Sequence, residues 1–469
     1  ITNLRTKIGN DPLWLTGITA YVEDAQGRIL LGKRADTGQW ALIYGIVEPA
    51  EEPANTCVRE TLEETGVDIQ PVCLVSVKSS PYMVTYANGA TQSLTYDLAG
   101  NVIAETDAEG NTKQYQYDRV NRLTGVTDEL GNKTAYAYDA QDNIVKVTDA
   151  LKHVTRYTYD QNGNLLTETD ALGNRVTYAY TPEGWLESVT RADGTVLTFA
   201  YDRTGSLLIQ NVGDGQTVES SYNDIGMVTE VSGAEGSITY QYDERGYLLS
   251  VENVNGDVVS YTYDEYGNKT SMTYPDGRVV SYTYDRMNRM TGVTGLDGEV
   301  TTYTYDAAGR RTETSGSTLT TSYRYDGVGN LVEQVTHGES EVAFSYAYDR
   351  NGYITGEIRR ENGTTVASSY AYDAAGQLTK FLQTTGYGER YAYDKAGNMT
   401  EKVLTGTDGA ETTLAMKYNK GNQLTGMANG RDKIAYKYDK NGSMVEKTLS
   451  SQSYGKLTDS YAYNALDQL

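Results

Sequence analysis

The sequence is poor in the residue types on which many catalytic and disulfide-stabilised proteins depend. Its 469 residues include two cysteines, two histidines, three phenylalanines and seven prolines. Cys57 and Cys73 do not suggest a disulfide framework. His153 and His337 stand alone in the sequence, which argues against a histidine-based triad or a histidine-rich metal site. The low proline content leaves few breaks in any strand ladder, and no apolar run is long enough to cross a bilayer.

Basic residues are also fewer than acidic ones. Forty Lys and Arg residues face 63 Asp and Glu residues, which gives a formal net charge of -23 and a pI near 4.6. Such an acidic chain repels nucleic acid and anionic membrane surfaces. We therefore expect neither a nucleic-acid partner nor a membrane span, and we interpret the charge as a means of keeping extended surfaces soluble.

Tyrosine and glycine are abundant instead, with 42 and 48 residues, and they recur in a pattern. The pattern Tyr-x-Tyr-Asp-x-x-Gly-Asn occurs at 157–164, 261–268 and 391–398. Its Asp register first repeats every 21 residues and then drifts between 20 and 25, which defines eighteen copies. A fixed period of this size indicates one supersecondary unit per copy, stacked on its neighbours. The register positions are Asp97, Asp118, Asp139, Asp160, Thr181, Asp202, Asn223, Asp243, Asp264, Asp285, Asp306, Asp326, Asp349, Asp373, Asp394, Asn419, Asp439 and Asn464.

One copy reads as two strands and two turns. Residues 157–159 predict a short strand with both tyrosine rings on one face, because side chains alternate along a strand. Residues 160–163 predict a turn, in which the Asp carboxylate accepts backbone amides and Gly163 supplies a positive φ. A second strand follows at 164–169, a second turn at 170–174, and residue 175 restarts the cycle. Successive hairpins should therefore join into one long antiparallel ribbon.

The Tyr-Asp pairs permit more than one interpretation. The structural one assigns the rings to packing and the carboxylates to turns. Calcium binding at the Asp-rich turns is an alternative, but no copy carries the run of oxygen ligands that this ion prefers. Stacking of sugars on the tyrosine face is a third possibility.

The repeat pattern, in eighteen copies, resembles the YD-repeat (Rhs) family over residues 91–469. The resemblance implies a mainly β fold: an antiparallel β-strip that spirals into an open or partial shell. In bacterial members of the family the shell encloses a C-terminal toxin, and in animal relatives it serves cell-surface adhesion. The Asp-Pro-x-Gly-Leu signature that closes the bacterial shell does not occur in this sequence. The resemblance thus implies a scaffold, with an encapsulated or adjacent polypeptide as partner and a secreted or cell-surface location.

The first ninety residues carry a different pattern. Strands are predicted at 17–22, 28–34 and 40–44, and a helix from Glu51 to about Thr65. Within this helix Glu60, Glu63 and Glu64 are spaced so that their carboxylates share one face. Such a triad is commonly no more than a solvated helix face, but it could also hold magnesium, which prefers oxygen ligands and bridges carboxylates to phosphates.

The order Gly45, Glu51 and Arg59-Glu60-Thr61-Leu62-Glu63-Glu64-Thr65-Gly66 resembles the Nudix box. The resemblance implies an α/β segment over residues 1–90 that hydrolyses nucleoside diphosphate-linked substrates with Mg²⁺ or Mn²⁺. The segment is shorter than the family fold and looks truncated, because the repeats begin where further strands and a helix are expected. The implied catalytic residues are Glu51, Arg59, Glu60, Glu63 and Glu64, of which Glu60, Glu63 and Glu64 would hold the metal. The implied substrate-binding residues are Arg34, Trp40 and Gly45.

The sequence therefore predicts two domains, at 1–90 and 91–469, and three functions. The first is a structural or encapsulating scaffold of the surface or toxin-delivery type. The second is a metal-dependent Nudix hydrolase acting on nucleotides, a class that is typically cytoplasmic. The third is a carbohydrate-binding adhesion module with glycan partners.

Overall fold

The computed structural model describes residues 91–464, except Asp214, and shorter parts of the preceding segment. Those parts are Gly17–Ala20, Gly32–Lys33, Trp40–Ala41, Ile43–Ile46, Arg59, Thr61 and Tyr82–Thr85. The chain divides into two compact units, Ile1–Lys78 and Ser79–Leu469.

The first unit contains two pairs of antiparallel strands among its described residues. β1 (Gly17–Ala20) pairs with β4 (Ile43–Ile46), and β2 (Gly32–Lys33) pairs with β3 (Trp40–Ala41). Arg59 and Thr61 are helical, and the side chain of Thr61 is fully buried. The strands lie within the three segments predicted as strands, apart from the last two residues of β4, and the helical residues lie within the predicted helix.

The second unit is one antiparallel ribbon. β5 (Tyr82–Thr85) joins it ahead of the predicted boundary at residue 90, by pairing with β6. The first half of the ribbon continues through β6 (Thr91–Tyr96), β7 (Val102–Thr106), β8 (Thr112–Tyr117), β9 (Leu123–Thr127), β10 (Lys133–Tyr138), β11 (Ile144–Thr148), β12 (Val154–Tyr159), β13 (Leu165–Thr169), β14 (Arg175–Tyr180), β15 (Leu186–Thr190), β16 (Val196–Tyr201), β17 (Leu207–Asn211), β18 (Thr217–Tyr222), β19 (Val228–Gly233), β20 (Gly236–Tyr242), β21 (Leu248–Glu252) and β22 (Val258–Tyr263).

The second half keeps the same alternation, with some longer strands toward the end. It runs through β23 (Lys269–Thr273), β24 (Val279–Tyr284), β25 (Met290–Thr294), β26 (Val300–Tyr305), β27 (Arg311–Ser315), β28 (Thr320–Tyr325), β29 (Leu331–His337), β30 (Val342–Tyr348), β31 (Ile354–Glu361), β32 (Thr364–Tyr372), β33 (Leu378–Gln383), β34 (Gly388–Tyr393), β35 (Met399–Thr405), β36 (Glu411–Tyr418), β37 (Leu424–Ala428), β38 (Asp432–Tyr438), β39 (Met444–Ser451) and β40 (Gly455–Ser460).

Each copy of the repeat is therefore a pair of strands, as predicted. In copy 4, Tyr157 lies opposite Glu168 and Thr158 opposite Thr167, whereas Tyr159 lies opposite Leu165. Leu166 of the second strand has no partner in this register. It forms a β-bulge opposite the step from Thr158 to Tyr159, the second tyrosine. The same shift recurs in every strand pair that is joined by the turn after a Tyr-x-Tyr-type strand, as at β8–β9, β22–β23 and β38–β39. Bulges increase the local twist of a sheet, so this repeated bulge favours a ribbon that curves.

The ribbon has little enclosed core. Among the residues that the structure describes, the buried hydrophobic side chains are Ala108, Val212, Ala343 and Val403. Most tyrosines are half-buried instead, on the face where first-strand rings lie opposite residues such as Val126, Val189 and Met272. The opposite face carries small polar pairs, such as Thr158 with Thr167, whose hydroxyl oxygens lie 2.7 Å apart. None of the helices described is long and apolar enough to span a membrane.

Candidate functional site

A turn of recurring geometry follows the Tyr-x-Tyr strands of the second unit and is here called the tyrosine turn. In copy 4 the carboxylate of Asp160 accepts three hydrogen bonds. Oδ1 accepts the backbone N–H groups of Asn162 (2.8 Å) and Asn164 (2.9 Å), and Oδ2 accepts the side-chain amide of Asn164 (2.9 Å). Gly163 has a φ of 86°, as predicted for the last turn position. All three bonds lie within the turn itself. This agrees with the structural interpretation of the Tyr-Asp pair, in which the carboxylate stabilises the turn.

These hydrogen bonds favour the ionised form of the turn aspartates. The side-chain amide and the backbone N–H of Asn164 lower the pKa of Asp160 below its ordinary value of 3.8. The pKa is lowered in the same direction at the register positions Asp97, Asp118, Asp139, Asp202, Asp243, Asp264, Asp285, Asp306 and Asp326.

In most copies the second tyrosine binds the preceding copy through a hydrogen bond. The hydroxyl of Tyr159 donates a 2.9 Å hydrogen bond to the carbonyl of Ile144, the first residue of β11. The ladder between β11 and β12 ends at the pair Lys146–Arg156, so the hydroxyl bonds a carbonyl beyond the end of that ladder. Equivalent bonds are made by Tyr117, Tyr138, Tyr180, Tyr201, Tyr222, Tyr263, Tyr284, Tyr305, Tyr325, Tyr348, Tyr372, Tyr393, Tyr418, Tyr438 and Tyr463.

In many copies the residue directly after the tyrosine turn reaches forward to the next copy. Arg289 binds Asp285 of its own turn through Nε (2.7 Å) and donates from a terminal nitrogen to the carbonyl of Asp306 (3.2 Å). Its guanidinium carbon also lies 4.8 Å from the ring centroid of Tyr305, a cation–π distance. Arg122 and Arg310 repeat this arrangement.

Other residue types at this position do the same by different means. Trp185, Tyr247 and Tyr353 pack their rings on the second tyrosine of the next copy, with centroids 5.0 to 5.5 Å apart. Asn101, Asn268 and Asn398 donate instead to an asparagine in the next tyrosine turn. The position therefore links neighbouring copies whether its residue is charged, aromatic or an amide.

The ribbon also contacts itself over long distances in sequence. The turn after the second strand of copy 1, here called a return turn, meets the tyrosine turn of copy 13. Asn351 Nδ2 donates to Asp107 Oδ2 (2.6 Å), while Asn351 Oδ1 accepts the backbone N–H of Ala108 (2.9 Å). The N–H of Arg350 donates to Glu109 (2.9 Å). This contact explains why Ala108, an alanine in a turn, is buried.

A second contact of the same design joins copy 5 to copy 17. Asn441 Nδ2 donates to Asp193 Oδ2 (2.8 Å), and Asn441 Oδ1 accepts the N–H of Asp193 (3.2 Å). Between these two contacts, copy 4 approaches copy 16, where a Cβ placed on Gly421 would lie 3.1 Å from Leu172 Cδ1. In all three cases a return turn meets a tyrosine turn twelve copies further along. We call this set of contacts the seam, because it joins one winding of the ribbon to the next.

A cleft of ≈ 450 Å³ lies along the seam beside the Asn441 contact. Apolar and charged side chains line it together: Val176, Val189, Leu197, Glu168, Asp170, Arg191 and Lys440. Among the residues described, no three His, Cys, Asp or Glu side chains converge into a metal-binding group. The cleft therefore offers a mixed surface rather than the ligand set of an ion.

One polar cluster on the tyrosine face departs from the repeat pattern. Glu389 stands two residues before the first tyrosine of its copy, accepts hydrogen bonds from Tyr387 and Tyr391, and pairs with Lys402 at 2.9 Å. Burial opposes ionisation of Glu389, but the three donors outweigh it and lower its pKa. Burial and the bond to Glu389 raise the pKa of Tyr391. Each of these four side chains has a partner within the cluster, which fits a cross-strand packing role.

The candidate residues of the first unit are placed only in part. Arg59 lies in the helical part and is half-buried, Trp40 begins β3, and Gly45 lies within β4 opposite Ile18. Glu51, Glu60, Glu63, Glu64 and Arg34 lie outside the described residues. Their grouping into a metal site therefore stays a prediction.

The seam and the forward links were not predicted from the sequence. The forward links had a signal: the position after the tyrosine turn is filled by Asn, Arg, Trp, Tyr, Gln or Met in most copies, all of which are long enough to reach the next copy. The seam had none, because the sequence does not reveal how many copies complete a winding.

A single antiparallel ribbon of tyrosine–aspartate hairpins, wound so that its turns meet, defines a YD-repeat β-strip. The Teneurin YD-shell family matches the chain over residues 76–232, 170–315 and 315–469, and the chain belongs to this family. The YD-repeat prediction is thereby confirmed.

One solved structure shows the same fold, and a second aligns with a lower score. A chain in the crystal structure of TcdB2-TccC3-TEV aligns with a TM-score of 0.55 and 14% sequence identity, covering 95% of this chain and 28% of that one. A chain in the crystal structure of TcdB2-TccC3-Cdc42 aligns with a TM-score of 0.44 and 14% identity, covering 83% of this chain and 28% of that one. The present chain thus spans under a third of their length.

A curated relative matches a much shorter stretch. A MutT-like protein from Streptomyces ambofaciens is 37% identical over 59 residues, which make up 13% of this chain and 38% of that protein.

The forward link of Arg289 can be tested against a matched control in its own turn. Arg289→Gln removes the bridge to copy 11, whereas Arg286→Gln removes the same charge from an exposed residue that follows Asp285. We expect native-state hydrogen exchange between residues 285 and 306 to accelerate in the first variant only, since the cation–π contact alone contributes ~0.5–1 kcal/mol. Equal exchange in both variants would show that the link does not stabilise the ribbon.

The turn aspartates predict acid sensitivity. Because their pKa in the folded chain lies below the ordinary 3.8, they add stability that is complete above that value and is lost as the pH falls through the folded pKa. We expect the thermal midpoint of the ribbon to drop as the pH falls below 3.8. Asp160→Asn should show a lower midpoint at pH 7 and a shallower dependence on pH. A midpoint that is flat across this range in the unmodified chain contradicts the assignment.

Proposed function

We propose that this chain is a structural and encapsulating scaffold of the toxin-delivery or surface type, with an enclosed or adjacent polypeptide as its partner. The observation that carries the proposal is the seam, in which the return turns of copies 1, 4 and 5 meet the tyrosine turns of copies 13, 16 and 17. A ribbon that only displayed hairpins would not need to bind its own next winding. Membership of the Teneurin YD-shell family supports this function, and so does the fold shared with TcdB2-TccC3-TEV.

The two faces of the ribbon support a polypeptide partner. One face presents rings and aliphatic side chains in rows, such as Tyr178 opposite Val189 and Tyr282 opposite Val293. The other presents small polar side chains, such as Thr262 beside Ser271. A sheet with one apolar face gains free energy by covering that face. An unfolded or loosely folded polypeptide exposes apolar side chains of its own and would cover it.

The scaffold function predicts protection of an attached chain. An unstructured passenger fused after Leu469 should resist a soluble protease for longer than the same passenger alone, because a wound ribbon limits access to what it encloses. Rates of passenger cleavage, followed by gel electrophoresis and mass spectrometry, measure the effect. Cleavage of the fused and free passengers at the same rate would overturn the encapsulating role and leave a scaffold that is open to solvent.

A second function is favoured by the match to the MutT-like protein. We propose that residues 1–90 retain a Nudix-like module that hydrolyses nucleoside diphosphate-linked substrates. Glu60, Glu63 and Glu64 would hold Mg²⁺ or Mn²⁺, Glu51 or one of these would activate water, and Arg59 would orient the glutamates. Arg34, Trp40 and Gly45 would bind the substrate. Carboxylate oxygens are the ligands that magnesium prefers. The bound ion would activate a water molecule and stabilise the negative charge on the leaving phosphate group.

The hydrolase function predicts magnesium-dependent cleavage that is lost when two metal-binding glutamates are replaced by glutamine. The chain should release phosphate-containing products from a panel of nucleotide sugars and dinucleotides. The double variant Glu63→Gln, Glu64→Gln should lose ~100-fold or more of that rate, because the metal ligands are lost while the size of the side chains is kept. Glu265→Gln, an exposed change in the repeats, is the control. Absence of cleavage, or cleavage that survives the double substitution, removes this function and leaves the scaffold standing.

A further inference from the structure

The two asparagines that hold the seam share a chemical feature. Each is followed by glycine, as Asn351-Gly352 and Asn441-Gly442. At an Asn-Gly bond the backbone nitrogen of glycine attacks the side-chain Cγ of asparagine most readily, because glycine has no Cβ to hinder the approach. The attack closes a five-membered succinimide and expels ammonia. One water then opens the ring to aspartate or isoaspartate. The net change is one water consumed and one ammonia released, without any oxidant or cofactor.

The closed seam opposes this reaction. The side-chain amide of Asn351 is fixed at both ends, with Nδ2 on Asp107 (2.6 Å) and Oδ1 on the N–H of Ala108 (2.9 Å). The attacking nitrogen, that of Gly352, donates to the carbonyl of Asp349 at 3.2 Å. Asn441 is held in the same way by Asp193, and the nitrogen of Gly442 donates to the carbonyl of Asp439. The side-chain amide is therefore held while the windings are in contact, and the attacking nitrogen is held by its own turn.

Deamidation would replace a hydrogen bond across the seam with electrostatic repulsion. A carboxylate at position 351 has no N–H to donate, and it would place an oxygen against Asp107 Oδ2, where the amide nitrogen now lies 2.6 Å away. Burial works against ionisation of Asp107, but hydrogen bonds from Asn111 and Asn351 outweigh it and lower its pKa. The pKa of Asp193 is lowered in the same way, against its burial, by Thr195 and Asn441. Two carboxylates that share a site repel each other, so each asparagine would change from a donor into a like charge.

We propose that Asn351 and Asn441 are deamidation sites at which a spontaneous Asn-to-Asp conversion, once the seam has opened, prevents the windings from closing again. The seam then acts as a one-way contact: it closes only while both asparagines are intact. The inference concerns the seam alone and holds whether or not the ribbon encloses a polypeptide.

The chain provides its own control. Asn162-Gly163 occupies the same positions of a tyrosine turn, with the N–H of Asn162 on Asp160 Oδ1 and a positive φ at Gly163. Asn162 is exposed, and copy 4 meets copy 16 through its return turn instead. Asn162 therefore matches Asn351 and Asn441 in its turn position and in the glycine that follows it, and differs from them in lacking the seam contact. Asn162 should therefore deamidate first in the folded chain.

The test uses the full chain and two readouts. The first is peptide mass spectrometry during incubation at mildly alkaline pH. It should show Asn162 deamidating several-fold faster than Asn351 and Asn441 in native buffer, and all three reacting at similar rates in denaturant. The second is amide hydrogen exchange at Ala108 and Asp193, whose N–H groups donate across the seam.

Substitutions separate the consequences. Asn351→Asp should raise exchange at Ala108, and Asn441→Asp at Asp193, on the order of tenfold or more, because hydrogen bonds to charged groups are lost and repulsion replaces them. Asn162→Asp should leave both amides unchanged. Adding Asp107→Asn to Asn351→Asp should restore protection at Ala108, since a donor again faces an acceptor. Unchanged exchange in the two seam variants, or equal deamidation of all three asparagines in native buffer, would overturn the proposal.

Discussion

The hydrogen bonds between a turn carboxylate and the amides that follow it are the interactions on which the ribbon depends. A hairpin loop must turn the chain within a few residues, and it leaves backbone N–H groups without ladder partners. Asp160 accepts two of them and holds Asn164 in place as well. Because the same carboxylate geometry recurs from copy to copy, each turn gives the chain the same twist. The strand that follows is then in register to pair with the strand before it. A ribbon of this length needs such local precision, since small errors would accumulate along it.

Local turns alone would give a weakly stabilised strip, because the described ribbon has almost no enclosed core. Contacts between neighbouring copies supply what a core would supply in a compact domain. The Tyr159 hydroxyl reaches back to copy 3, and residues such as Arg289 and Trp185 reach forward. Stability in such an array is close to a sum of copy and neighbour terms. An altered turn that lies away from the seam therefore weakens its own region and leaves distant copies intact, whereas an altered seam turn also affects the winding that it contacts.

The sequence was sufficient for the local level and insufficient for the long-range level. The Tyr-x-Tyr alternation and the Asp-x-x-Gly turns identified the strands around Tyr157 and Tyr180, because both signals lie within a few residues. Neither signal encodes that Asn351 meets Asp107, since the number of copies in a winding follows from the twist added at each bulge. In the first unit, the Nudix pattern fixed candidate residues such as Glu63 and Glu64. Their arrangement in space depends on strands that the box itself does not specify.

The seam also explains how the repeat can drift in length without losing its winding. Turns alternate between the two edges of the ribbon, so a contact between windings must join a return turn to a tyrosine turn. Asp107 and Asp349 head such turns in copies 1 and 13, and Asp170 and Asn419 head them in copies 4 and 16. The spacing is twelve copies in each case, although copies differ in length. The extra residues lengthen strands such as β31, β32 and β39, which displaces an edge but leaves the order of turns unchanged. The winding therefore depends on the number of turns rather than on the number of residues, and the positions that must match across the seam are the few turn residues in contact, such as Asn351 and Asp107.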